Sequence, residues 1–208
     1  MNGAFELLLP VECMGCGRPG VRLCQGCLAH LRTPPQPMTA RVDPHMPLWT
    51  LGPYGGPRRR MIIGLKERGR RDAVAPLAAM TRAAVRHLIA RGEVDEDIVL
   101  VPAPTSRASA RRRGGDPVAR VARRTGFDTA EVLEHSRSVR ESVGLDVAGR
   151  RANMAGGVRL AGDWRELCGR RLLLLDDVIT TGATLAASTA VLTSAGLSLR
   201  GGLGWSNA

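Results

Sequence analysis

Solid apolar runs too short to be buried helices alternate along this chain with stretches of helical spacing. Leu172 to Leu175 are four consecutive leucines and Ile98 to Val101 form a second such run; both read as parallel strands covered on both faces. Leu48 to Tyr54, closed by Gly55 and Gly56, and Leu197 to Trp205 read as further strands. Pro57 to Arg68 has helical spacing with Met61, Ile62 and Leu65 inward and Gly69 after its end. Asp72 to Arg91 carries Leu77, Met80, Ala84 and Leu88 on one stripe, Asp116 to Arg124 is shorter, and a helix after Thr184 ends at Gly196. The expected class is α/β, a mainly parallel sheet flanked by helices.

Two stretches break this rhythm. Thr33 to Pro47 is rich in proline and has no apolar period, so it reads as a linker. It divides the chain into a small module over 1–32, a linker over 33–47 and a main domain over 48–208. Between Gly126 and Leu160 the apolar content thins and only Asp146 to Asn153 suggests a short helix, as suits a mobile cover over a reaction centre.

With 208 residues, 44% of them hydrophobic, the chain is long enough for one well-buried domain plus an appendage. No apolar run approaches the roughly 18 residues that span a bilayer, and the LLLP near the start lacks a basic flank. The expectation is a cytosolic protein without a membrane span. A formal net charge of +11 calls for an anionic partner, with nucleic acid, a polyphosphate and an acidic protein all qualifying. Aromatics at 3% count against base stacking as the main activity. Lys66 is the only lysine in a chain otherwise supplied with arginine, either because a planar fork would not fit there or by accident.

Cys13, Cys16, Cys24 and Cys27 follow the spacing C-x2-C-x7-C-x2-C, with Gly17, Pro19 and Gly20 in the loop between the pairs. Each pair can chelate one face of a tetrahedral ion, which favours structural Zn²⁺ over two disulfides or a redox-active pair. A module of about twenty residues does not bury enough surface to fold alone, whereas a structural zinc contributes on the order of 10 kcal/mol. Cys168 is left over and is expected to be a small buried residue.

The most informative stretch runs from Arg171 to Thr184: leucine strand, Asp176 and Asp177, then Thr180, Thr181, Gly182, Ala183 and Thr184, then the helix. Backbone N–H groups at a helix start hold phosphate well, and a glycine lets that backbone come close. Two carboxylates repel the same phosphate but suit hydroxyls, an amine or a cation a few ångströms away, and a phosphorylated sugar offers both halves. The plainer reading, that these residues only cap a helix, needs one such side chain and leaves the rest unexplained.

This stretch resembles the phosphoribosyl diphosphate (PRPP) signature of type I phosphoribosyltransferases. Together with the four-cysteine head, the proline-rich stretch, GLKERGR, VPAPTSRASARRRGG and VGLDVAGRRANMAGGV, it is similar to the ComF family over nearly the whole chain. The resemblance implies a zinc ribbon joined to a type I phosphoribosyltransferase fold. It implies transfer of a 5-phosphoribosyl group from PRPP to an unidentified acceptor with release of pyrophosphate. Asp176 and Asp177 would then meet the ribose hydroxyls, and Thr180 to Thr184 the 5-phosphate. Thr105, Ser106, Arg107 and Lys66 would meet the pyrophosphate, with Mg²⁺ bridging. Arg111 to Arg113 either close over that anion or form a solvated face. The family usually has R-G-F-N-Q where this chain has Arg113-Gly114-Gly115-Asp116-Pro117, and a glutamine just ahead of V-G-L where it has Ser142, so its acceptor is expected to differ or to be absent. The family's association with natural competence supplies the other reading, a DNA-uptake factor that binds single-stranded DNA without turnover.

Overall fold

The computed structural model describes residues 11–104, 115–135 and 157–208. After a turn bearing the first two cysteines comes helix α1 (Gln25–Leu31), then strands β1 (Gln36–Met38) and β2 (Leu48–Thr50) and helix α2 (Gly56–Glu67). A single 3-10 turn leads into α3 (Val74–Ala90), followed by β3 (Val99–Pro102), α4 (Pro117–Ala122), β4 (Leu133–His135) and β5 (Val158–Leu160). The chain closes with β6 (Arg171–Ile179), α5 (Ala183–Ser194) and β7 (Ser198–Asn207). The helix expected over Asp146 to Asn153 lies outside the described residues, as does most of the 126–160 segment.

The central sheet has the order β1-β2-β7-β6-β3, parallel throughout except for β1, which runs antiparallel to β2 at the edge. The leucine run explains why β6 lies inside it. Leu172 to Leu175 are all fully buried, and side chains alternate across a strand, so the run covers both faces. Leu173 and Leu175 pack with Met61, Leu77 and Val118 of α2, α3 and α4, whereas Leu172 and Leu174 pack with Leu185 of α5 and Val158 of β5. At about 2 kcal/mol for each fully buried leucine, this strand anchors the molecule.

Three expectations are corrected. The strand does not stop at Leu175: pairing to β7 continues through Asp176 opposite Gly204, Val178 opposite Ser206 and Ile179 opposite Asn207, because a long neighbour offers ladder partners and the strand-forming Val178 and Ile179 carry the two aspartates along. The proline-rich stretch 33–47 is more than a tether, since Gln36–Met38 pairs with β2 at an edge where proline is tolerated. Cys168 is exposed rather than buried, on the turn that delivers the chain to β6.

The cysteine head packs directly on the rest. Met14 and Leu31 belong to the same buried cluster as α2 and α3. Three arginines of the α2 region reach into it: Arg60 Nη1 donates to Cys16 O at 2.7 Å, Arg58 Nη2 to His30 O at 3.3 Å, and Arg70 Nη2 to Glu12 O at 3.2 Å.

Candidate functional site

The acid pair sits where β6 is about to leave the sheet at its carboxyl end, the edge at which open α/β sheets build their sites. Asp177 is buried and faces α2, whose last turn brings Lys66 to it: Nζ lies 2.7 Å from Asp177 Oδ2, with the side chains 30% and 8% exposed. Sequence reading singled out Lys66 as a compact cation but directed it to the pyrophosphate; the fold gives it to the second aspartate.

Asp176 is half-buried and accepts the Asp177 N–H at Oδ1, 2.8 Å away. Burial first, and then the charge of Asp177, push its carboxyl up from the ordinary 3.8 to about 7. The Asp177 N–H and Lys66 oppose the rise, while Asp116 adds to it. Asp116 caps α4, accepting from the Val118 and Ala119 N–H groups at 2.7 and 3.1 Å. Sequence reading saw only that helix start; its bearing on Asp176 depends on α4 packing against β6, which no local signal announces.

The turn after the acids is open on one side and held on the other. Thr180, Thr181 and Ala183 are exposed and Thr184 is half-buried. Gly182 is left-handed at φ +84°, and a Cβ there would lie 2.5 Å from Ala40 Cβ and 2.7 Å from Val42 O. The Val42 N–H donates to Thr181 O at 2.8 Å. The segment Ala40 to Val42 is therefore a strap lying on the turn, and glycine is required both for the conformation and for the closeness. Among the first N–H groups of α5, Ala183 donates to Thr181 Oγ1 at 3.3 Å and Ala186 to Gly182 O at 2.9 Å. Among the described residues, the Thr184 and Leu185 N–H groups have no acceptor, as is general at a helix start.

The expected pyrophosphate residues are reached only by their approach. The Ala103 N–H donates to Leu175 O at 2.8 Å, so the chain leaves β3 beside Asp176. Thr105, Ser106 and Arg107 follow at once but lie outside the described residues, as do Arg111 to Arg113 and Ser142.

The second centre is the head. The sulfurs of Cys13, Cys16, Cys24 and Cys27 all lie within 4.8 Å of one another, and Cys16 and Cys24 Sγ are 3.7 Å apart. A tetrahedral zinc with arms of about 2.3 Å has sulfur–sulfur edges of about 3.8 Å, so the four thiols are positioned to bind a metal ion and fit structural zinc. All four are free thiols. Burial raises Cys13, but the N–H groups of Cys16, Cys24 and Gly15 outweigh it and bring the thiol to about 6, which favours the thiolate that a metal needs. Burial pushes Cys27 up. Gly15 is the close approach here, since a Cβ would lie 2.7 Å from Cys27 Sγ and 3.0 Å from Pro57 Cβ on α2. Among the described residues this is the only cluster of three or more metal-ligating side chains.

No family model matches the chain, and no curated protein matches it either.

Proposed function

We propose that this protein binds PRPP and transfers its 5-phosphoribosyl group to an acceptor with release of pyrophosphate. The observation that carries the reading is the continuity of β6, the acid pair, the open turn and the start of α5: hydroxyl acceptors and a phosphate cradle lie in sequence at one end of the sheet. In this reading the 5-phosphate rests on the exposed Thr180 to Thr184 turn and the free N–H groups behind it. Arg41, carried on the strap and without an ion pair among the described residues, supplies the charge that the neutral turn lacks.

Asp176 accepts hydrogen bonds from the ribose hydroxyls, and the negative charge of the pair favours the positive charge that develops at C1 as pyrophosphate departs. Lys66 pairs with Asp177 and holds it in place beside Asp176. Thr105, Ser106 and Arg107 receive the pyrophosphate. Mg²⁺ belongs to the substrate here and is held by its phosphate and hydroxyl oxygens. The four cysteines hold Zn²⁺ as a structural ion.

The test is calorimetric titration of PRPP with Mg²⁺ into the native protein and into Asp176→Asn/Asp177→Asn. Binding by the native protein and none by the double variant, with both equally folded by circular dichroism, is the expected result. Equal affinity of the two proteins removes the assignment.

A further inference from the structure

A groove of about 660 Å³ opens where the cysteine head meets the starts of α3 and the end of α4. Its lining includes Arg22 from the loop between the cysteine pairs, Arg71 from the turn before α3, and Arg120, Arg123 and Arg124 from the end of α4. None of these residues belongs to the acid-pair site. Three separate stretches of chain thus bring five guanidinium groups to one concavity, which sequence spacing does not require. One carboxylate, Asp72, also lines it, but Arg70 holds it in a forked pair at 3.2 and 2.7 Å, and the Arg22 charge bears on it as well. Arg123 pairs with Glu131. Among the described residues no ion pair engages Arg71 or Arg124, and both are exposed.

The groove keeps an excess of positive charge after the Arg123–Glu131 pair is taken into account, and a bound polyanion relieves the remaining repulsion. The chemistry narrows the ligand. Guanidinium forks match phosphate oxygens in pairs. The floor is apolar, with Met14, Leu23 and Pro76, and carries no aromatic side chain on which a base would stack. The volume falls within the roughly 300–1,000 Å³ of small-molecule sites.

We propose that this groove is a second anion site that takes the clustered phosphate groups of a free polyphosphate ester. It grips phosphate oxygens and reads no base. It also works independently of the acid pair, so it stands whether or not PRPP is the substrate there.

The experiment titrates inorganic tripolyphosphate into the full chain, into Arg71→Glu/Arg124→Glu and into the charge-matched Arg82→Glu/Arg86→Glu, whose exposed arginines lie outside the groove, at near-physiological salt. Arg71 and Arg124 are exposed too, and a thermal melt checks that each double variant is folded. Expected are saturable binding, a loss of about tenfold or more in Arg71→Glu/Arg124→Glu, and a much smaller loss in Arg82→Glu/Arg86→Glu. Competition by an oligothymidylate of about a dozen nucleotides is expected to leave this binding in place; displacement means a nucleic-acid backbone and overturns the proposal. No binding to the native chain, or equal binding to the folded Arg71→Glu/Arg124→Glu protein, overturns the proposal.

Discussion

Asp176→Asn is the sharpest perturbation this structure offers, because the amide copies the neutral acid in shape and keeps an oxygen for the Asp177 N–H. The Asp176 carboxyl is raised from 3.8 to about 7 by burial and by Asp177. At about 1.4 kcal/mol per unit, a rise of roughly three units bounds the effect near 4 kcal/mol. Water reaching a half-buried group reduces this to about 2 kcal/mol. The sign follows from proton binding: the folded chain holds this proton more tightly than the unfolded chain does. The stabilisation is therefore complete below about pH 4 and is lost as pH rises through about 7. Urea denaturation of both proteins at about pH 3.5 and pH 8 measures it. The variant is expected to match the parent in acid and to exceed it by about 2 kcal/mol in base, where an ionised Asp176 burdens only the parent. A variant equally stable at both pH values relative to the parent, or weaker in base, refutes the burial account of this carboxyl.

Other expectations follow from the same geometry. PRPP affinity of the native protein rises with pH up to about 7 and then levels, since hydroxyl donors favour the ionised Asp176; calorimetry in two buffers of different ionisation enthalpy detects the released proton. Lys66→Met strips a buried carboxylate of its cation and costs about 2 kcal/mol, less than a fully buried pair because Lys66 is partly exposed; Lys66→Arg recovers less than full stability if the compact ammonium matters. Gly182→Ala forces a left-handed alanine whose Cβ meets Ala40 and Val42, and should cost about 2–3 kcal/mol in urea denaturation while weakening PRPP binding. One zinc per chain is expected by metal analysis and is lost in Cys24→Ser, with a fall in melting temperature.

What the sequence disclosed and what it concealed divide along physical lines. Buried strands announce themselves, because a solid leucine run has no exposed face to serve, and Leu172 to Leu175 were legible for that reason. The cysteine spacing was legible because chelation is local. The Lys66–Asp177 pair was not, since it joins a helix to a strand far along the chain and depends on where α2 crosses the sheet. The strap over Gly182 was hidden for a related reason: Ala40 to Val42 has no period of its own and takes its conformation from the turn it covers. β6 ran past its leucines because β7 was long enough to pair with it, a property of the neighbour.

Helix α2 has one end on each centre. Pro57 abuts the Gly15 turn and Arg60 grips the Cys16 carbonyl, while Lys66, some three turns on, holds Asp177. A rod fixed at both ends carries displacement, so the four-thiol head and the acid pair are mechanically joined through one helix. Measuring metal content beside every affinity at the far end tests whether that mechanical link matters.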